Sequence, residues 1–155
     1  MQNTVQDTEN DSDASPDIFE GDSWFASVTT AQAIQEIEGC FRGIVKTAHI
    51  LCPKEEIEEI MKPFPGGTHM VMESQNDNGS KIYAIGYKYS SKNVLCFIAT
   101  EGCGSTKPGI PYEARWTDRH GNVQSRNIPR PYIVSQYFCL CNAIDCHNQA
   151  RQFEL

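Results

Sequence analysis

Lysine and arginine are missing from the first 38 residues of this 155-residue chain, although those residues include nine acidic side chains. The rest of the chain holds all 13 basic residues and the other 11 acidic ones, so the net charge of −7 is concentrated near the amino terminus. Because the larger part carries a small positive excess, the bulk charge neither supports nor excludes a nucleic-acid partner.

Long apolar runs are missing as well. No stretch approaches the roughly 20 residues that a membrane helix requires, and no export signal precedes the first apolar cluster. We therefore expect a soluble intracellular protein with no membrane partner. The seven cysteines are odd in number, and without an export signal they are expected to be reduced thiols.

Residues 1–18 are polar, acidic and almost free of large apolar side chains, which predicts a disordered tail followed by one folded domain over residues 19–155. Hydrophobic spacing and turn residues predict the elements of that domain. They are a helix in DSWFASVTTAQAIQEIEGC, a strand in FRGIVKT, a helix in PKEEIEEIMK, strands in HMVMES, KIYAIGYKY and NVLCFIAT, a hairpin around DRHGN, and a final helix from RPYIVSQ onward. On the first helix, Trp24 and Ile37 are predicted to lie on the apolar face.

Two aspartates have simple structural interpretations when each is taken alone. Asp22 directly precedes the first predicted helix, as an N-cap residue would. Asp145 lies in the polar second half of the last predicted helix, where a lone aspartate is usually solvated.

Two further motifs are weak. Cys139, Cys141, Cys146 and His147 suggest zinc, but residues i and i+2 of a helix point about 200° apart, so these side chains would not converge and we expect no zinc. The stretch GCGSTK differs from a phosphate-binding loop, because a proline follows its lysine and no helix pattern begins there.

A basic window lies between residues 107 and 130, with Tyr112 and Trp116 interleaved. It contains Lys107, Arg115, Arg119, Arg126 and Arg130 against two acidic residues. This composition is typical of a surface that contacts a nucleic-acid backbone, and it fits a solvated hairpin face equally well.

Read together, the two aspartate segments resemble the piggyBac-type transposase family. GDSWFASVTTAQAIQEIEGCFRGIVKT is similar to the block with the family's second catalytic aspartate, which places Asp22 at that position. RPYIVSQYFCLCNAIDCHNQARQ resembles the third block, in which a basic-Pro pair and a tyrosine precede the aspartate, so Asp145 takes the third position. Asn148 stands where the family often has a further aspartate, and Gln149 matches its following glutamine.

The resemblance implies a fold, a chemistry and a partner. The fold would be a partial RNase H-like α/β domain, with a mixed sheet and flanking helices. Asp22 and Asp145 would be catalytic ligands of Mg²⁺ or Mn²⁺, since these hard ions prefer carboxylate oxygens, and DNA transposon ends would be the substrate. The family also implies a nuclear location and leaves a homodimer open.

The sequence departs from the family in ways that limit these expectations. The strands that carry the family's first aspartate are predicted to be missing, together with the strand that should lead into Asp22. The family's Cys-rich module does not follow the third block. We therefore expect a fragment with weak or no strand-transfer activity alone, or else a non-catalytic DNA- or protein-binding module that uses the basic window.

Overall fold

The structure, a computed structural model, describes residues 15–46 and 51–140. In chain order the elements are β1 (Ile18–Gly21), α1 (Val28–Glu36), β2 (Cys40–Val45), α2 (Lys54–Met61), β3 (His69–Gln75), β4 (Lys81–Lys88), β5 (Val94–Thr100), β6 (Tyr112–Thr117) and β7 (Val123–Ile128). A third helix, α3, is described over residues 132–140.

A five-stranded mixed sheet forms the centre of the molecule, in the order β1-β2-β5-β4-β3. The β1–β2 pair is parallel and the other three pairs are antiparallel. Strands β6 and β7 form a separate antiparallel hairpin. The expected mixed α/β architecture with flanking helices is therefore confirmed.

The helices cover both faces of this sheet, because the buried strands β4 and β5 present apolar side chains on both sides. On one face α1 and α2 pack through Ala31, Ile57 and Met61 against a layer that includes Ile98. On the other face α3 packs through Ile133 and Val134 onto a layer of alternating strand residues, Ile85, Tyr87, Phe97 and Ala99.

Strand β1 corrects the sequence analysis. The strand leading into Asp22 was predicted to be missing, and this was wrong: Ile18 to Gly21 pair in register with Cys40 to Gly43. With only four residues and mostly exposed side chains, β1 has neither the length nor the alternation by which strands are recognised.

The start of α1 is a second correction. Ser27 is the N-cap, since its hydroxyl accepts a hydrogen bond from the Thr30 N–H at 3.1 Å. Asp22 is therefore not the N-cap of this helix. Trp24 lies outside the helix and is 89% exposed, and Ile37 is 67% exposed beyond the other end, so neither residue belongs to a buried apolar face.

The carboxyl end of α2 contacts the ammonium group of the buried residue Lys88. The Lys88 ammonium donates hydrogen bonds to the carbonyl oxygens of Met61 at 3.0 Å and Lys62 at 2.6 Å. A positive charge at the carboxyl end of a helix interacts favourably with its dipole and satisfies carbonyls that lack an intrahelical partner. This contact fixes α2 on β4.

Candidate functional site

Asp22 follows directly on the carboxyl end of β1 and is exposed. Its Oδ1 accepts a hydrogen bond from the Trp24 N–H at 3.0 Å, and its carbonyl oxygen accepts from the N–H groups of Phe25 at 3.1 Å and Ala26 at 2.9 Å. These bonds hold the turn that joins β1 to α1. Within the described residues, Oδ2 of Asp22 accepts no hydrogen bond, so this oxygen faces solvent.

A second carboxylate, Glu20, lies two residues earlier on the same strand. It forms an ion pair with Arg42 of β2, whose Nε donates to Glu20 Oε1 at 2.8 Å. The Arg42 guanidinium also lies 5.7 Å from the centre of the Tyr132 ring. Burial lowers the pKa of Arg42, but hydrogen bonds and charge from Glu20 and Tyr132 outweigh burial, so the pKa is raised.

Helix α3 reaches the same region of the sheet. A small cavity next to β1 and β2 is lined by Glu20, Arg42 and Ile44 together with Tyr137 and Leu140 of α3. Leu140 is the last residue of this helix that the structure describes. Asp145, Asn148 and Gln149 lie outside the described residues, so their positions relative to Asp22 remain predictions.

The donor set at this end of the sheet fits one carboxylate ligand for a hard cation. Asp22 offers an exposed carboxylate oxygen of the type that Mg²⁺ prefers, whereas Glu20 is engaged by Arg42. Across residues 15–46 and 51–140 no three His, Cys, Asp or Glu side chains come together as a metal-binding group. Further ligands for a metal at Asp22 would have to come from elsewhere, and Asp145 is the candidate.

The zinc hypothesis involves one described residue. Cys139 is exposed on α3, while Cys141, Cys146 and His147 lie outside the described residues. The expectation that no zinc binds here is therefore still a prediction.

The basic window does not form a single patch. Arg115 lies on β6 and bonds to Glu113 at 2.9 Å, Arg126 lies on β7, and Arg119 lies in the turn between these strands. Lys107 is exposed in the loop before β6. Arg130 is partly buried at the base of the hairpin.

Strand register divides the hairpin into two faces, because neighbouring residues of a strand point to opposite sides. The pairs Tyr112–Ile128, Ala114–Arg126 and Trp116–Gln124 share one side, which we call the aromatic face. The pairs Glu113–Asn127, Arg115–Ser125 and Thr117–Val123 share the other. Arg115 and Arg126 consequently point in opposite directions.

Arg130 is held among aromatic rings where the hairpin meets the sheet. Its guanidinium lies 5.8 Å from the Tyr112 ring centre and 5.2 Å from that of Phe138, and its Nε donates to the Ile110 carbonyl oxygen at 2.9 Å. These residues line a cavity of about 320 Å³ together with Tyr87 and Tyr89. Burial raises the pKa of Tyr87, and the charge of Arg130 opposes that rise in part.

Sequence reasoning did not find Glu20 and Arg42, or Tyr87 and Phe138 beside Arg130. Glu20 alternates with Asp22, a signal that is visible only once β1 is known to be a strand. Tyr87 and Phe138 lie far from Arg130 in sequence, and only the packing of α3 on β4 brings them together.

A pair of cysteines was also missed. Cys52, which precedes α2, and Cys96 of β5 are both buried in the core beneath α2. A hydrogen bond from Cys96, with help from the Lys54 N–H and ammonium, lowers the pKa of Cys52 to about 7. The same contact, together with burial, raises the pKa of Cys96.

Comparisons with protein-family models, curated proteins and solved structures found no match to this chain. In the described part of the chain, no helix combines the length and the apolar character that crossing a membrane would take.

Proposed function

We propose that this chain is part of the RNase H-like catalytic core of a piggyBac-type transposase and acts on DNA in the nucleus. The position of Asp22 carries the proposal: an exposed carboxylate at the carboxyl end of β1, in a β1–α1–β2 unit whose strands are parallel. Ligand sites of open α/β sheets lie at the carboxyl ends of parallel strands. The resemblance of the surrounding block to the family supports the same role for Asp22.

In this proposal Asp22 and Asp145 hold the metal, with Asn148 and Gln149 beside them. Bound Mg²⁺ or Mn²⁺ would supply charge stabilisation for displacement at phosphorus. The turn at Asp22 contributes rigidity, because the Trp24 N–H fixes one carboxylate oxygen and leaves the other facing outward. Glu20 is not proposed as a metal ligand, because its carboxylate is paired with Arg42.

Titration of the full chain with Mn²⁺, followed by calorimetry, tests this proposal. Asp22→Asn and Asp145→Asn are each expected to weaken binding by about tenfold or more, since loss of even a supporting group of a metal site costs roughly 10- to 100-fold. The matched control is Asp77→Asn, which removes an exposed carboxylate from the β3–β4 turn and should leave binding unchanged. Equal Mn²⁺ affinity in all four proteins would reject the metal site.

We expect strand transfer by this chain alone to be weak or absent, because the resemblance assigns only two of the family's three catalytic aspartates, Asp22 and Asp145. A labelled-oligonucleotide assay in Mn²⁺ measures this directly. Turnover that disappears in Asp145→Asn would contradict the expectation of weak activity while supporting the aspartate's role.

A second candidate function is a non-catalytic DNA- or protein-binding module. The exposed hairpin favours it, because Arg126 and Arg119 form no ion pair with any described residue and are placed to meet an acidic partner. Such a module would bind DNA equally well in Asp22→Asn and Asp145→Asn. Its affinity would fall steeply with salt and on neutralisation of the window arginines.

A further inference from the structure

The aromatic face of the hairpin combines rings with positive charge. The one carboxylate at its edge, Asp118 in the turn, accepts hydrogen bonds from Gln124 Nε2 at 3.1 Å and from the N–H groups of His120 and Asn122. Tyr112 and Trp116 are each 50% exposed on it, and Arg126 lies opposite Ala114 between them. The one acidic residue of the two strands, Glu113, points to the other side and is engaged by Arg115. Between the two rings, the charged side chain on the aromatic face is therefore that of Arg126.

Tyr112 and Trp116 are far enough apart to act as two separate stacking surfaces. Tyr112 and Trp116 are four residues apart on β6, which places them about 13 Å from each other along the strand. Ala114, which lies between them, has a small side chain and is partly buried. Flat apolar surfaces separated in this way can each accept a planar group from a ligand.

Arg130 extends this surface toward the sheet. Its guanidinium is held over Tyr112 and Phe138 and is anchored by the Ile110 carbonyl oxygen. The half-exposed Tyr89 lines the same cavity. The surface therefore alternates cation and ring in the order Arg126, Tyr112, Arg130. Because these side chains are already in place, binding requires no large rearrangement.

We propose that the aromatic face binds unpaired DNA, with nucleobases stacked on Trp116 and Tyr112 and phosphates held by Arg126 and Arg130. This inference rests on the proposed function in one respect, namely that the partner is DNA. It adds the class of substrate, which is a single strand, and the face of the hairpin that receives it.

The chemistry favours a single strand over a duplex or an acidic peptide. Paired bases cover one another's faces, so exposed rings gain little from them, whereas unpaired bases offer a free face to any aromatic side chain. An acidic peptide would use the arginines but would leave Trp116 and Tyr112 without a matching partner.

The primary experiment measures binding of a fluorescein-labelled 12-mer of thymidylate to the full chain in EDTA, by anisotropy. Trp116→Ala is expected to weaken binding about tenfold. Arg126→Gln should lower the salt slope of log Kd by about 0.7, the contribution of one phosphate contact to a single strand. Arg115→Gln removes the same charge from the opposite face and is the matched control, expected to change affinity less than twofold.

A second readout reports stacking itself. Trp24 and Trp116 are the two tryptophans of the chain, so Trp24→Phe leaves Trp116 as the sole indole. Stacking of a base on Trp116 should quench its fluorescence at the same DNA concentrations that raise the anisotropy. Because Trp116 is half exposed on a surface hairpin, its replacement should leave the circular dichroism and the urea midpoint nearly unchanged.

Several results would overturn the proposal. They are equal or tighter binding of a 12-base-pair duplex, tighter binding of single-stranded RNA, stronger competition by an acidic peptide than by unlabelled DNA, and equal losses in Trp116→Ala and Arg115→Gln. The outcome is independent of the metal site, since EDTA removes Mn²⁺ from this assay and the Mn²⁺ titration contains no DNA. Failure of one proposal therefore leaves the other testable.

Discussion

Cys52 and Cys96 are both buried in the core, and their pKa values are shifted in opposite directions. The pKa of Cys52 is lowered to about 7, first by the hydrogen bond from Cys96 and then by Lys54, against the effect of burial. The pKa of Cys96 is raised, by its hydrogen bond to Cys52 and by burial. The sequence offered no signal for this pair, because 43 residues lie between the two cysteines.

This coupling predicts how stability depends on pH. An unfolded cysteine has a pKa of about 8.5, so between pH 7 and 8.5 the folded protein has released a proton that the unfolded chain still holds. The free energy of unfolding should therefore rise with pH in this window, by on the order of 1 kcal/mol. Above about pH 8.5 the trend should reverse, because folded Cys96 keeps its proton while the unfolded thiol loses one.

Urea unfolding between pH 6.5 and 9.5 measures this profile, with thiols kept reduced. In Cys96→Ala the pKa of Cys52 should return toward its usual value, and the rise between pH 7 and 8.5 should disappear. Cys103→Ala is the control, because it removes another buried thiol and leaves the Cys52–Cys96 contact in place. A wild-type profile that is flat or falls between pH 7 and 8.5 would contradict the assignment.

At the residue scale, the aspartate site could be predicted only in part from the sequence. The resemblance assigned a metal-binding role to Asp22, and that role is a proposal. The structure adds that the Asp22 carboxylate is exposed and that its turn is held by the Trp24 N–H. The ion pair that keeps Glu20 on Arg42 depends on the β1–β2 register. That register could not be predicted while β1 itself was not recognised.

Among the elements, α2 packs on β4 with the side chains of Ile57 and Met61 directly over Gly86. A Cβ atom at this position would lie 2.4 Å from Ile57 Cγ2 and 2.8 Å from Met61 Sδ. The glycine is thus required by the approach of the helix rather than by a turn.

Gly86→Ala is expected to lower the free energy of unfolding by about 1–3 kcal/mol, the usual range for overpacking a well-filled core. Combining it with Ile57→Ala should cost less than the sum of the two single changes, because the smaller side chain makes room for the new methyl group. Urea unfolding of the two single variants and the double variant measures these free energies and completes the double-mutant cycle.

Gly66→Ala provides the matched control. Its new Cβ would meet no atom closer than 3.8 Å, so the change should be nearly neutral. Strict additivity between Gly86→Ala and Ile57→Ala would show that the two residues do not share this contact.

Most elements follow from local sequence patterns. Helix α2 and strands β2 to β7 form where hydrophobic spacing and turn residues predicted them. The exceptions lie around Asp22: β1 is too short to show alternation, and the Asp22 turn delays α1 until Ser27. A tight turn stabilised by backbone N–H groups is invisible to side-chain periodicity.

At the scale of the whole molecule, the sheet order could not be read from the sequence. Strand β2 pairs with β5, and the bond from the Phe41 N–H to the Thr100 hydroxyl spans 59 positions of the chain. Such pairings depend on which apolar faces pack together. Helices α1 and α2 pack together on one side of the sheet. The arginines of the basic window are separated for a related reason, since alternation along β6 and β7 places Arg115 and Arg126 on opposite faces.

Protection of backbone amides should reflect this architecture. Strands β4 and β5 are central and covered on both faces, so their amides should exchange with deuterium most slowly, close to the rate set by global unfolding. Amides of β6 and β7 should exchange much faster, because the hairpin is exposed and stands outside the main sheet. Hydrogen exchange followed by mass spectrometry measures both, and equal protection of the hairpin and β5 would contradict this expectation.

The base of the hairpin has a consequence for how this chain could change over evolution. Pro108 and Pro131 form an isolated bridge, and the Gly109 N–H donates to the Arg130 carbonyl oxygen at 2.9 Å, so the chain leaves and re-enters the fold at one place. A hairpin whose two ends are joined in this way can be lengthened, shortened or replaced with little effect on the sheet. Natural variation and laboratory grafting could therefore exchange the hairpin as a cassette, retaining the scaffold beneath it while altering what it recognises.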